Sequence, residues 1–482
     1  MKKLLAAALM LVLASPAFAA IQDVKVSGSI TSYFVGRDDF DFDVPGQTNK
    51  FSQDFFYTST HVLISSDLSD NVSAQVGIAN EVAWGDLNNA DSASGGTSET
   101  TTGQDQNVDL ELANLTLKSF LYSPLTLTIG RQSLSYGNDF IIGAGGNASV
   151  GTMANVANDL SRTQNYDGVR AVLDYKPLTV DLVYVKTNSN NLTGGETLAS
   201  GTSKDDDDLY GAVANYQLND PMSTVVEGSF WSQISNGNRS GGTAGANGDK
   251  ANEVFVPDLR VSTNPIKDLT LGLEGATQFG HIYNASISNP PNDQNAKLSR
   301  VWGLQGKASY NLPILEKYKP VIAETVSYYS GDNLKSKDKN NAWQPLYNDQ
   351  DLGTRIWRSL FAPTNLETSE LSLQANPLED VTTQLVWTDL FLADGLGSGS
   401  ASYGSIYTAN GGLLPDGDVP TTNLQIKDKR NLGNELDGII TYQYTEDVTF
   451  GLNLGVFAPG SLFTSKNNGD ATEAIASVGV NF

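Results

Sequence analysis

Ser59 and His61 stand two residues apart, and the chain holds one other histidine, His281, and no cysteine. On an extended strand that spacing puts a hydroxyl and an imidazole on one face, the start of a nucleophile–base pair. No acid in the neighbouring sequence is placed to orient the imidazole, so the pair is expected to be incidental. Two histidines cannot supply an ordinary histidine-rich metal site, and the lack of cysteine removes thiol chemistry and a disulfide framework. The acidic runs Asp205 to Asp208, Asp38-Asp39 with Asp41 and Asp43, and Asp416-Gly417-Asp418 offer oxygen ligands to a hard cation. Without a scaffold they read as solvated loops. No carboxylate pair is singled out for glycoside chemistry. The chain is expected to be no enzyme and to carry neither cofactor nor metal.

What remains is charge in arrangement. Lys25, Arg260, Arg300 and Lys307 fall on one inferred face of alternating segments. Glu227, Asp258, Glu274, Glu435 and Asp437, with Asp174, Asp181 and Glu324, fall on the same face. Rings of charge and constrictions decide what a pore admits. The structural alternative is that these groups pair and pin neighbouring strands, which is the expectation for Glu435 and Asp437. Asp plus Glu number 54 against 30 Lys plus Arg, a net charge of −24. Nucleic acid, which needs a concentrated basic face, is thereby an unsuitable partner.

The elements that must hold these groups are strands. Outside the first residues no apolar run approaches the ~18 residues of a spanning helix, so a membrane-spanning form would have to be a closed barrel. Val448, Phe450, Leu452, Leu454 and Val456 alternate with Thr449, Gly451, Asn453 and Gly455; Leu269, Leu271 and Leu273 oppose Thr270, Gly272 and Glu274. Tight-turn residues recur at Leu68 to Asn71, Tyr122 to Pro124, Lys176-Pro177, Asn219 to Pro221, Asn264 to Asp268, Pro313 to Lys319, Pro377 to Asp380 and Thr445 to Asp447. Long loops come between them: Asp86 to Gln106, Gly137 to Asn165, Asn188 to Asp207, Asn236 to Ala251, Gly331 to Leu366 and Ala393 to Leu432. The count is about eighteen strands, an even number as in bacterial barrels. Secreted solenoids, sandwiches and propellers also alternate, but rarely keep short and long connectors in strict succession. The fold class is therefore all-β, a transmembrane antiparallel barrel. Its short turns and both termini lie in the periplasm, its long loops outside, and Tyr175, Tyr184, Tyr310, Tyr442 and Tyr444 form interfacial girdles. Met1-Lys2-Lys3, the apolar stretch Leu4 to Leu13 and Ala17-Phe18-Ala19 form a secretory leader over residues 1–19. Sec-type export is implied, with 20–482 as a single domain in the cell outer membrane. No cysteine follows the leader, so a lipoprotein anchor is not expected.

The closing strand Val478-Gly479-Val480-Asn481-Phe482 resembles the assembly signal of outer-membrane barrels, which implies the barrel-assembly machinery as a partner. Ile129 to Gly137, reading I-G-R-Q-S-L-S-Y-G, resembles the G-R-Q-x-x-x-Y-G signature of the alginate-export family. Tyr166-Asp167-Gly168-Val169-Arg170, Trp343-Gln344-Pro345-Leu346-Tyr347, Leu432 to Asp437 and Phe457-Ala458-Pro459-Gly460 resemble its later landmarks, in the family's order. The resemblance implies an eighteen-stranded monomeric barrel in outer-membrane lipid, with Arg131 and Arg170 as basic pore residues. Arg131, Arg170, Arg260 and Arg300 would form one side of a transverse field, with acids opposite. The loop Tyr136 to Gln164, rich in apolar residues, is expected to fold inward, with Gly331 to Leu366 as the second candidate. The expected function is a porin-like channel for small hydrophilic solutes, carboxylated or sugar-like ones among them. The alternatives are an exporter of an anionic polysaccharide such as alginate, and a mainly structural or adhesive surface barrel.

Overall fold

In the computed structural model the described residues are 23–40, 42, 52–84, 108–143, 160, 165–189, 206–235, 252–283, 295–332, 339–349, 355–395, 427–465 and 468–482. The leader, Asp41, Asp43, Asp205 and Asp416 to Asp418 lie outside them. Alternating sequence becomes strand because period two sorts side chains to two faces, and the faces here meet different solvents. The first wall strands are β1 (Val24–Asp38), β2 (Ser52–Ser69), β3 (Val72–Ala83), β4 (Asp109–Leu117), β5 (Leu125–Gln132) and β6 (Tyr166–Asp174). Next come β7 (Leu178–Ser189), β8 (Asp206–Gln217), β9 (Val225–Ser235), β10 (Asn252–Ile266), β11 (Leu269–Tyr283), β12 (Asn295–Asn311) and β13 (Val321–Tyr329). After the two-residue β14 (Lys339–Asn340) the wall resumes with β15 (Leu366–Leu378), β16 (Val381–Leu392), β17 (Asn431–Gln443), β18 (Val448–Pro459) and β19 (Ala471–Asn481). β14 pairs parallel with β12 and belongs to an inner loop; the other eighteen form one antiparallel wall.

The wall closes where β1 meets β19, from Ser29 opposite Asn481 to Asp38 opposite Thr472. At its lower end Gly28 and Phe482 exchange both backbone hydrogen bonds, at 2.9 and 3.0 Å. The Phe482 ring lies against Gly28, where a Cβ would meet its Cζ at 2.8 Å. Closure leaves no strand edge unpaired in lipid. The eight short turns all fall on this side, and the long connections all fall on the other, as the sequence pattern requires.

The outer face carries Ile30, Phe34, Ile64, Val76, Leu182, Leu259, Leu273, Leu385, Leu436, Leu452 and Leu454, all exposed. Two aromatic belts bound it. Tyr122, Tyr175, Tyr442 and Tyr444 lie by the short turns; Tyr184, Tyr210, Phe230, Phe255, Phe279 and Trp302 lie toward the long loops. Neighbouring rings touch along the belts, Phe255 to Phe279 at 5.3 Å and Tyr184 to Tyr210 at 5.1 Å. No helix among the described residues is long and apolar enough to cross a membrane.

The upper lumen is packed with apolar side chains. Phe140, Ile141 and Ile142 from the β5–β6 loop and Trp343, Ile356, Trp357 and Phe361 from the β13–β15 loop are buried against Trp231, Val256, Val301, Tyr329, Leu390 and Phe457 of the wall. The described parts of both loops expected to fold inward, 136–143 and 339–349 with 355–365, therefore do so. Tyr136 leaves β5 and packs at a tilt against Trp231 with ring centroids 5.2 Å apart, and Phe140 reaches Tyr329 at 5.5 Å on the far wall. Trp231 in turn lies flat on Gly211, where any Cβ would meet its ring at 2.1 Å. The two loops join through Ile142 and Tyr347, with Gly143 N–H donating to the Tyr347 carbonyl at 2.7 Å.

Candidate pore constriction

Below this packing the inner face turns polar. In register across the wall stand Glu227 on β9, Arg260 on β10, Glu274 on β11, Gln305 on β12 and Ser327 on β13. Arg260 Nε is 3.9 Å from Glu274 Oε2. The infolded loop rests directly on this row. Asn138 Nδ2 donates to Glu274 at 3.3 Å, and a Cβ at Gly137 would come within 3.3 Å of Arg260, Glu227 and Glu274. One step up, Asp258 accepts from Ser229 Oγ at 3.3 Å. Lys307 faces the lumen on β12, opposite Gly272. On β6 and β7, Arg170 Nε donates to Asp181 Oδ2 at 2.9 Å and its guanidinium lies over the Tyr136 ring at 5.5 Å. The Tyr136 hydroxyl also donates to Asp181. In the same loop, burial pushes the Asp139 carboxyl above its ordinary range, opposed by the Ser135 hydroxyl and by Lys307. Among the described residues cations and anions thus interleave along one arc, with no basic side facing an acidic side.

Three residues expected on the lumen face lie elsewhere. Arg131 shares its face of β5 with the exposed Ile129, so period two turns it outward. There it forms a bidentate pair with Asp167 on β6, at 2.8 and 2.7 Å, and donates to the Leu110 carbonyl. Arg300 sits at an irregularity of β12 with φ 59, exposed, between inward Leu298 and Val301; the extra residue displaces it from the lumen face. Glu324 likewise shares the outward face of Val326 and accepts from Ser369 at 2.7 Å. Lys25 faces inward at the periplasmic mouth, exposed, and Asp174 lies at the same end.

Glu435 and Asp437 are on the inner face of β17 and fully buried. Glu435 takes the backbone N–H groups of Ile356 and Trp357 at 2.8 and 2.7 Å, which open the short helix α1 (Ile356–Leu360). Arg355 lies between Glu370 (3.5 Å) and Asp437 (3.7 Å), and Arg358 is 3.1 Å from Glu370. These carboxylates anchor the second infolded loop; they neither face the solute path nor merely pin the wall.

Sequence reasoning missed the other side of the lumen. Glu81 on β3 and Glu111 on β4 reach His61 and Ser59 on β2. Ser59 Oγ is 2.8 Å from His61 Nε2 and 3.0 Å from Glu81 Oε1, and His61 Nδ1 is 3.0 Å from Glu111 Oε2. An orienting acid therefore exists. Glu111 is the extra residue of a bulge, since Gly77 pairs Leu112 and Ile78 pairs Leu110. Its neighbours' periodicity gives no sign of that. Arg37 and Glu473, a buried pair at 2.7 Å between β1 and β19, was also missed. No group of histidines and carboxylates among the described residues is arranged to hold a metal.

Comparison with known proteins adds the lineage. Solved structures similar to the chain include the Pseudomonas aeruginosa outer membrane protein OpdK (12% identity, TM-score 0.54, covering 96% of this chain and 99% of that one). OccAB1 of Acinetobacter baumannii is similar too (12% identity, TM-score 0.52, 97% and 98% covered). So is OpdK with vanillate (12% identity, TM-score 0.53, 96% and 99% covered). At such identity the likeness is one of fold. Among curated proteins no sequence matches the chain. The family model described as alginate export matches residues 37–477, and the chain belongs to the alginate-export family of outer-membrane β-barrels.

Proposed function

We propose that the barrel is a passive, porin-like channel for small hydrophilic solutes, carboxylated or sugar-like ones among them. The observation that carries this reading is the interleaved charge on the inner arc from Arg170 to Lys307, lying beneath infolded loops in a closed wall. Such a lining orients polar solutes and offers guanidinium donors to a carboxylate. A neighbour in fold is solved with vanillate, and Arg170, with about a third of its side chain exposed, is the cation best placed to meet an acid here. A polyanion exporter fits less well, because Asp181, Glu227, Asp258 and Glu274 stand in the same arc.

The non-enzymatic reading has a physical basis as well. The backbone N–H groups around Ser59 are committed to β1 and β3, so the backbone there offers no pair of donors to hold an oxyanion. We further infer a monomer, assembled through the strand ending at Phe482 after removal of a leader at 1–19. Residues 20–482 would then form one domain. Refolded protein in planar bilayers tests the function. Ohmic single-channel steps are expected, and Arg170→Ala should reduce anion relative to cation permeability. A folded, heat-modifiable barrel that does not conduct would sink the reading and favour a plugged, structural barrel.

A further inference from the structure

The His61 constellation obeys a simple proton count. An ionised carboxylate only accepts, so with Glu111 ionised His61 Nδ1 carries the hydrogen in their 3.0 Å contact. Ser59 has one hydroxyl proton and donates it to Glu81 at 3.0 Å. The Ser59 oxygen, 2.8 Å from His61 Nε2, is then the acceptor, and Nε2 also carries hydrogen. With Glu81 and Glu111 both ionised, this arrangement has both ring nitrogens donating, the pattern of an imidazolium. Loss of the Nε2 proton reverses the relay: Ser59 turns its hydroxyl to Nε2, and Glu81 gives up that donor. Around the ring, β3 contributes Glu81, and β4 contributes Glu111 and, in register with Ala79, Asp109. β1 places the uncharged Ser29 opposite His61 and Thr31 opposite Ser59. About a fifth of the His61 and Glu111 side chains is exposed, on the inner face. Imidazole is the side chain that changes charge between pH 5 and 8.

We propose that His61 is a selectivity-determining residue of the lumen. Its proton sets the charge of the Glu81–Glu111 patch and hence the preference for small cations. The proposal rests on the channel reading. Protonated, the ring offsets one carboxylate; neutral, it leaves the patch one unit more negative. Cation preference therefore rises with pH.

The test is the reversal potential of the refolded full chain under a potassium chloride gradient at pH 5 and pH 8. It compares wild type, His61→Gln and, as control, His281→Gln at the exposed outer end of β11. Wild type and the control should gain roughly four- to sixteenfold in cation-to-anion permeability ratio, since one unit charge across about 5 Å of water changes each ion by about two- to fourfold, with opposite sign for cation and anion. His61→Gln should show a clearly smaller gain, because Asp258, Glu274 and the other lumen carboxylates stay in place while the imidazole is gone. Conduction with the same pH response in wild type and His61→Gln overturns the proposal and leaves the channel intact. Absence of any conduction overturns both. Should His61→Gln fail to fold, imidazole nitrogen resonances of the wild type, readable with only two histidines, replace it. A His61 ring whose protonation does not change between pH 5 and 8 overturns the proposal.

Discussion

Arg131 and Arg170 belong to two motifs that read alike in sequence, and one residue of phase separates their roles. Arg170 faces the lumen with Asp181, while Arg131 faces outward with Asp167. The motifs themselves are partners, Gly130 opposite Gly168 and Gln132 opposite Tyr166. Arg131 therefore stitches β4, β5 and β6 together rather than selecting solutes. In a double-mutant cycle on unfolding, Arg131→Ala and Asp167→Ala should show a coupling of about 1 kcal/mol, the upper end for a partly exposed but bidentate pair. Arg131→Ala should leave the reversal potential unchanged. A selectivity shift as large as that of Arg170→Ala would return Arg131 to the pore.

Among the elements, strands position the charges but loops decide what they see. The β13–β15 loop enters the lumen because α1 finds an acceptor for its first N–H groups in Glu435. Glu435→Ala would leave two buried donors unmet at about 1–3 kcal/mol each and a buried Arg355–Asp437 pair weakened. The expected outcome is a loosened loop and a larger, noisier single-channel conductance. Unchanged conductance from this variant would show that other contacts hold the loop. The short turns were legible because Pro, Asn and Asp mark them. The loop anchors were not, since Glu435 and Ile356 lie far apart in sequence and meet only across the barrel.

At the scale of the molecule the decisive event is closure. Its seam depends on Gly28 admitting the Phe482 ring. Gly28→Val should weaken the β1–β19 junction and reduce the heat-modifiable, folded fraction on an electrophoretic gel, with little effect on the selectivity of channels that do close. A variant that folds as fully as wild type would show that the ring can move aside.

Alternation, turn chemistry and the succession of short and long connectors were enough to determine an antiparallel barrel of about eighteen strands. Period two is a local property and the two solvents enforce it on every strand. Alternation also placed Glu227, Asp258, Arg260, Glu274 and Lys307 on the inner face, and the family resemblance pointed to Arg170 there. Tertiary structure alone decided the rest. The phase of Arg131, the displacement of Arg300 and the bulge that turns Glu111 toward His61 are single-residue shifts that leave composition and period unchanged. The packed upper lumen and the interleaving of acids with bases depend on which strands become neighbours and where the loops land, and only closure of the wall fixes both.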